Sequence, residues 1–180
     1  MMMKKMILLA TWVALFVSTA YSQGTFHFVN GGGTATRLGS LDGALAGPGI
    51  WAQMLAGPRP DSLTPVGVPV EHLLIHGVPS GVVAGGEVAV PGVLPFETAY
   101  VEMAAWDGRL WGKVLSGVPT DQLGMTDIVP VLLADPVFGF PPMAPRFTQP
   151  AIVPIPEPAV LALAVIGGLS LLLFRRIRYE

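Results

Sequence analysis

The chain has 180 residues, of which 52% are hydrophobic, 12% are charged and none is cysteine, so disulfide bonds, thiolate catalysis, cysteine-ligated zinc and a lipidated-cysteine anchor are excluded. Between residues 23 and 153, five basic residues stand against ten acidic ones, a formal charge of about −5. These scattered basic residues lack the clustered Lys and Arg that phosphate binding requires, so no nucleic-acid partner is expected.

The N-terminus has the three parts of a secretory signal peptide. Two lysines precede an apolar run at residues 6–17, and Ala20 and Ser22 place small side chains at positions −3 and −1 of a cleavage site. The sequence therefore predicts a signal peptide over residues 1–22, cut so that the mature chain begins at Gln23. The alternative is an uncleaved anchor, which the short apolar run disfavours.

Residues 23–140 are expected to form one all-β domain. Short runs rich in Val, Leu, Phe and Trp alternate with Gly and Pro, and no helical period between the two chain ends is long enough to compete. This spacing is typical of a single β-sandwich of about seven to nine strands. The candidate strands are 25–30, 50–55, 68–75, 86–90, 99–106, 109–115 and 128–133.

A hairpin is predicted between the fifth and sixth candidate strands. Asp107 and Gly108 join them, and this dipeptide suits the positive φ angles of a two-residue type I′ turn. Period-two alternation then places Val101 and Met103 on the inward face of the fifth strand.

Glu71, His72 and His76 suggest a metal hypothesis, because histidines four residues apart share one face of a helix or a strand. Their order differs from the His-Glu-x-x-His of zinc proteases. The alternative is an ordinary pair of solvent-facing histidines on a strand. We expect no metal site.

The remaining polar residues form no catalytic constellation. Ser80 lies in a Pro-Ser-Gly turn without a Gly-x-Ser-x-Gly elbow. Asp121, Asp127 and Asp135 lack the spacing of a calcium loop, so solvation accounts for them. No catalytic residue and no cofactor is predicted, and the chain is not expected to be an enzyme.

Three tryptophans are candidates for a glycan-stacking platform, if they lie exposed on one sheet face: Trp51, Trp106 and Trp111. Packing in the core explains the same residues, and we favour that interpretation.

Residues 141–154 are predicted to form a proline-rich stalk. Seven prolines occur in the 18 residues from 141 to 158, which favours extended polyproline II at about 3.1 Å per residue. Such a stalk would hold the domain up to roughly 55 Å from the membrane.

A membrane helix is predicted at residues 159–174. These 16 uncharged residues would form a helix of about 24 Å, slightly short of a hydrocarbon core of about 30 Å. Arg175, Arg176 and Arg178 in the basic tail, residues 175–180, place the C-terminus in the cytoplasm by the positive-inside rule. A buried core helix is the alternative, which the absence of any charge disfavours.

The motif Pro156, Glu157 and Pro158, followed by an apolar span and an arginine tail, resembles the PEP-CTERM sorting signal, over residues 155–180. The two prolines keep the backbone extended, as a protease cleft needs, and leave Glu157 as the one charge available for recognition. The resemblance implies cutting near the motif by a membrane protease called an exosortase. It also implies release or attachment to the extracellular matrix of a Gram-negative bacterium that makes exopolysaccharide.

Segments 45–58, 62–67 and 105–108 are similar to small uncharacterised β-domain proteins that carry this same tail. The sequence therefore predicts an exported surface or matrix protein whose domain has a structural or interaction role. Its expected partners are an exosortase and the membrane, with exopolysaccharide as a candidate. Three alternatives remain: a carbohydrate-binding module, a small metal-dependent hydrolase, and a permanently anchored single-span protein.

Overall fold

A computed structural model describes residues 23–30, 34–40, 42–137, 142 and 146–155. This part of the chain is mostly β-strand, which confirms the all-β prediction. The strands are β1 (Thr25–Val29), β2 (Arg37–Leu38), β3 (Ile50–Gly57), β4 (Thr64–Glu71), β5 (Leu74–Ile75), β6 (Val78–Pro79), β7 (Ala84–Ala89), β8 (Thr98–Asp107), β9 (Gly124–Met125), β10 (Val129–Leu132) and β11 (Ile152–Val153). Helix α1 covers Gly108–Trp111, and a 3-10 helix covers Thr120–Gln122.

The largest sheet has the strand order β10-β8-β3-β4, with β9 pairing beside β8. Strands β3 and β8 are antiparallel along their length, and Met54 lies opposite Met103. Because paired residues share a face, both methionines point into the core, where neither is accessible to solvent. The predicted inward face of Val101 and Met103 is confirmed.

A second sheet, β1 with β7, closes the same core. Alternation along β1 turns Phe26 and Phe28 inward, and both are buried. They belong to one hydrophobic cluster with Met54, Met103 and Val88. Burial of each large apolar side chain stabilises the fold by about 1.5–3 kcal/mol.

A buried asparagine fixes the turns beside this core. The side chain of Asn30 donates hydrogen bonds to the Thr36 hydroxyl (3.2 Å) and the Gly81 carbonyl (2.9 Å). Its oxygen accepts a bond from the Val83 amide at 2.7 Å. A buried amide needs such partners, so Asn30 ties the chain just before β2 to Gly81 and Val83, which lie 51 and 53 residues further along the sequence.

The predicted hairpin at Asp107 and Gly108 is wrong. Strand β8 pairs with β3, and the expected strand 109–115 is replaced by α1 and a loop. Asp107 has a φ of −80° and caps α1, because its carboxylate accepts a bond from the Arg109 amide at 2.9 Å. Aspartate is as good an N-cap as it is a turn residue, so the dipeptide fits both structures.

The predicted stalk is wrong for residues 146–154, which pack onto the domain. Strand β11 runs parallel to β2, with the Arg37 amide bound to the Ala151 carbonyl at 2.9 Å. Phe147, Ala151 and Val153 are buried. Proline tolerates the edge of a sheet, so apolar residues between the prolines can pack as a strand.

Two of the predicted segments lie outside the described residues. These are the signal peptide at residues 1–22 and the sorting signal from residue 156 onward. The candidate strand 68–75 is divided in the structure, where β4 ends at Glu71 and β5 begins at Leu74.

Candidate functional site

One carboxylate holds residues 146–155, which we call the C-terminal segment. Asp127 lies just after β9 and accepts bonds from the Thr148 amide at 2.9 and 3.0 Å and from the Thr148 hydroxyl at 2.6 Å. It also accepts the Gln149 amide at 2.9 Å. Bonds to an ionised acceptor are stronger than neutral ones, so Asp127 acts as an anchor. The expectation that Asp127 is merely solvated is wrong.

The charge state of the anchor follows from its surroundings. Burial alone would raise the pKa of Asp127, but hydrogen bonds from Thr148 and Gln149 outweigh it and the pKa is lowered. On β8, burial first and the negative charge of Asp127 second raise the pKa of Glu102. Asp127 is therefore ionised at neutral pH, and its bonds to the segment are charge-assisted.

Beyond the anchor, β11 passes very close to β9. A Cβ added at Gly124 would lie 2.5 Å from the carbonyl carbon of Ile152, so only glycine allows this approach. Val153 is 1% exposed and Ile155 is 55% exposed. Val153 is therefore the last buried residue of the described chain, and two residues separate it from the Pro-Glu-Pro motif at 156–158.

An open groove of about 530 Å³ lies along the C-terminal segment. Its lining residues are Met125, Thr148, Gln149, Pro150 and Ile152. The amides of Thr148 and Gln149 already bind Asp127, so the groove is a by-product of the anchored chain and not a preformed polar site.

The two histidines of the metal hypothesis do not converge. His72 is 2% exposed, and its Nδ1 lies 3.0 Å from the Ile50 carbonyl, while Nε2 is buried without a hydrogen-bond partner. His76 is exposed in the turn between β5 and β6, with a φ of 52°. The expected solvent-facing pair is therefore wrong at His72. Among the described residues no group of three His, Asp or Glu side chains could hold a metal ion.

The three tryptophans do not form one exposed platform. Trp106 is fully buried, and its indole N–H donates to the Gly112 carbonyl at 2.8 Å. Trp51 is half-buried, with the Lys113 ammonium 5.2 Å from its ring centroid. Trp111 is 40% exposed. A stacking surface that uses Trp106 is therefore wrong, and core packing of that residue is the better interpretation.

The sequence-predicted sorting and cleavage residues fall outside the described residues, apart from Gln23. They are Ala20, Ser22, Pro156, Glu157, Pro158, Arg175, Arg176 and Arg178. Sequence reasoning missed the Asp127 anchor, because Thr148 is 21 residues away and no local motif links them.

In the part of the chain that the structure describes, no helix is long and apolar enough to cross a membrane. Comparison of the chain with protein-family models, with curated proteins and with solved structures finds no match. The functional argument therefore depends on the chain's own residues.

Proposed function

We propose that this chain is an exported, non-catalytic surface or extracellular-matrix protein of a bacterium, sorted by an exosortase through Pro156, Glu157 and Pro158. The observation that carries the proposal is the end of the buried core at Val153. With Ile155 half-exposed, the motif follows the described domain directly, and a cut within it would remove none of the core residues that the structure describes.

The other end of the domain supports the same interpretation. Gly24 is buried, and its amide donates to the Val93 carbonyl at 2.9 Å, one residue after Gln23. A signal peptidase cut after Ser22 would therefore leave every described residue of the domain in the mature chain. The proposed signal peptide and the proposed sorting signal therefore flank the domain, and neither supplies a residue to its described core.

We propose that the domain is a β-sandwich. The β1–β7 sheet and the five-stranded sheet contribute to one core cluster, and Val88 of β7 lies 3.1 Å from a Cβ built on Gly67 of β4. Two sheets facing each other across one apolar layer are the arrangement of that fold.

The role of the domain is structural or interactive. A carbohydrate-binding module would expose Trp51, Trp106 or Trp111 on one face, and the burial of Trp106 leaves only Trp51 and Trp111 for such a surface. A small hydrolase would need His72, His76 and an acid to converge, and they do not converge in the described residues. Before processing, the C-terminal helix spans the inner membrane with the basic tail in the cytoplasm. Afterwards the domain belongs to the surface or matrix, where exopolysaccharide is a candidate partner.

The test is the intact mass of the protein recovered from the bacterium that makes it, compared with Glu157→Ala. Glu87→Ala is the matched control, because Glu87 is exposed on β7. We expect wild type and the control to lack both ends, and Glu157→Ala to retain its tail. A wild-type chain that reaches Glu180 would overturn the sorting proposal and favour a permanent anchor.

A further inference from the structure

The hairpin of β5 and β6 is apolar and exposed on both of its faces. Leu74 pairs with Pro79, and Ile75 pairs with Val78. Opposite residues share a face and successive residues alternate, so one pair covers each face. The three aliphatic side chains are 48%, 49% and 62% exposed for Leu74, Ile75 and Val78 respectively.

The tip of this hairpin is conformationally defined. His76 and Gly77 have φ angles of 52° and 79°, as a tight two-residue turn between twisted strands requires. No Asp, Glu, Lys or Arg occurs from residue 72 to residue 86. The hairpin is therefore an uncharged, preformed projection.

The exposure of both faces limits what can cover the hairpin. A flat partner surface or a second sheet would cover one face and leave the other apolar pair in water. A medium that surrounds the tip covers both, and the acyl-headgroup boundary of a bilayer takes apolar side chains to a depth of about 5–10 Å. We propose that the β5–β6 hairpin inserts into the lipid surface of the membrane that anchors the unprocessed chain.

The base of the hairpin lies close to the end of the described chain, as contact with the anchoring membrane requires. The Thr36 amide donates to the Gly81 carbonyl at 2.8 Å, just after the hairpin, and Pro79 packs against Gly47. Thr36 also directly precedes β2, which pairs with β11. Gly39 lies three residue steps after Thr36, at most about 10 Å along the extended chain. A Cβ built on Gly39 would lie 3.1 Å from the side chain of Ile155, where the described chain ends.

The connector to the proposed membrane helix is short. Residues 154–158 span at most about 16 Å in an extended conformation. The hairpin and the membrane helix can therefore reach the same bilayer surface. This inference rests on the proposed function, because the membrane helix is what tethers the domain to the bilayer. Insertion of the hairpin would hold the Pro-Glu-Pro motif at the membrane interface, where a membrane protease acts.

The driving force is apolar burial and not charge. The region from 23 to 153 carries five basic and ten acidic residues, so anionic headgroups do not attract it. Insertion should therefore persist when salt screens surface charges.

The experiment uses the full chain in liposomes, and the absence of native cysteine allows a single label. Val78→Cys carries an environment-sensitive NBD fluorophore, and nitroxide-labelled lipids report contact with acyl chains. Asp61→Cys is the control, because Asp61 is exposed in the turn after β3 and lies far from the hairpin. His72, just before the hairpin, bonds to Ile50 at the start of β3, and the turn follows the other end of this strand, about 23 Å away.

We expect the nitroxide lipids to reduce emission at position 78 at least about twofold at both low and high salt, and to leave position 61 nearly unchanged. Equal, weak quenching at both positions would overturn the proposal. A label at 78 that is shielded from aqueous iodide but not quenched by lipid would also overturn it, since a second copy or another protein would then cover the hairpin.

The liposomes contain no exosortase, so this result is independent of processing. In the producing bacterium, Ile75→Ser with Val78→Ser should lower the processed fraction several-fold, while Glu157→Ala abolishes it. Unprocessed wild-type chain would refute the sorting proposal and leave the insertion result standing. Lipid quenching of the label at position 78 that is lost when Ile75→Ser is added confirms that the hairpin makes the contact.

Discussion

Replacing Asp127 by Asn should loosen the C-terminal segment from the domain. The carboxylate accepts hydrogen bonds from three donors: the Thr148 amide, which is shared between both oxygens, the Thr148 hydroxyl and the Gln149 amide. An amide keeps one acceptor oxygen but turns an N–H donor toward other donors, so about half of these bonds are lost. Because the partners are solvent-exposed, each lost bond is worth about 1 kcal/mol, which is below the range of about 1.5–3 kcal/mol for bonds to charged groups.

The free energy of unfolding should therefore fall by about 2 kcal/mol, with a decrease of roughly 8 °C in Tm for a chain of residues 23–155. Urea unfolding and calorimetry measure both quantities. Asp121→Asn is the control, since Asp121 is exposed and should change stability by less than about 0.5 kcal/mol. A double-mutant cycle with Thr148→Val should give a coupling of about 1 kcal/mol.

The stabilisation by Asp127 should depend on pH, and the direction of its pKa shift gives the sign of that dependence. The folded-state pKa of Asp127 is lowered from its ordinary value of 3.8, so its stabilisation is complete above that value and disappears as pH falls through the folded pKa. Wild type and Asp127→Asn should therefore converge in strong acid. Equal stability at pH 7, with zero coupling to Thr148, would refute the anchor.

Burial lowers the pKa of His72 below 6.5, against an opposing backbone hydrogen bond to Ile50, so stability should be greatest above pH 6.5 and fall below it by up to about 1.4 kcal/mol per pH unit. His72→Gln should remove this part of the slope in pH-dependent urea titrations, and an unchanged slope would contradict the assignment. Gly124→Ala should destabilise by about 1–3 kcal/mol, because its Cβ overlaps Ile152; calorimetry showing no loss would mean that β11 is displaced without penalty. Phe96, exposed with a φ of 63°, should gain about 0.5–1 kcal/mol on replacement by Asn, and a lower Tm in that variant would contradict backbone strain at this position.

The strands that sequence reasoning predicted correctly are those whose side chains alternate or run apolar. β1 places Phe26 and Phe28 on one face, and β8 is buried at seven of its ten residues, so local composition is enough. The hairpin prediction was wrong because Asp107 satisfies a helix N-cap as well as a turn. Only the pairing of β8 with the distant β3 decides between the two.

The stalk prediction was wrong for a related reason. Proline density predicts an extended backbone, which β11 adopts, but not whether that backbone stands free or pairs with a strand. Pairing depends on β2, more than 100 residues away, and on Asp127, which has no local signal. His72 likewise looks like a surface residue until its Ile50 partner is placed.

The measurement that tests the account most directly is identification of the C-terminal residue of the mature protein, by tandem mass spectrometry of its last peptide. The account predicts a terminus at or after Ile155 and before Arg175, so that β11 and the Asp127 anchor stay with the released domain. A terminus at Glu180, or one before Val153 that removes β11, would contradict it.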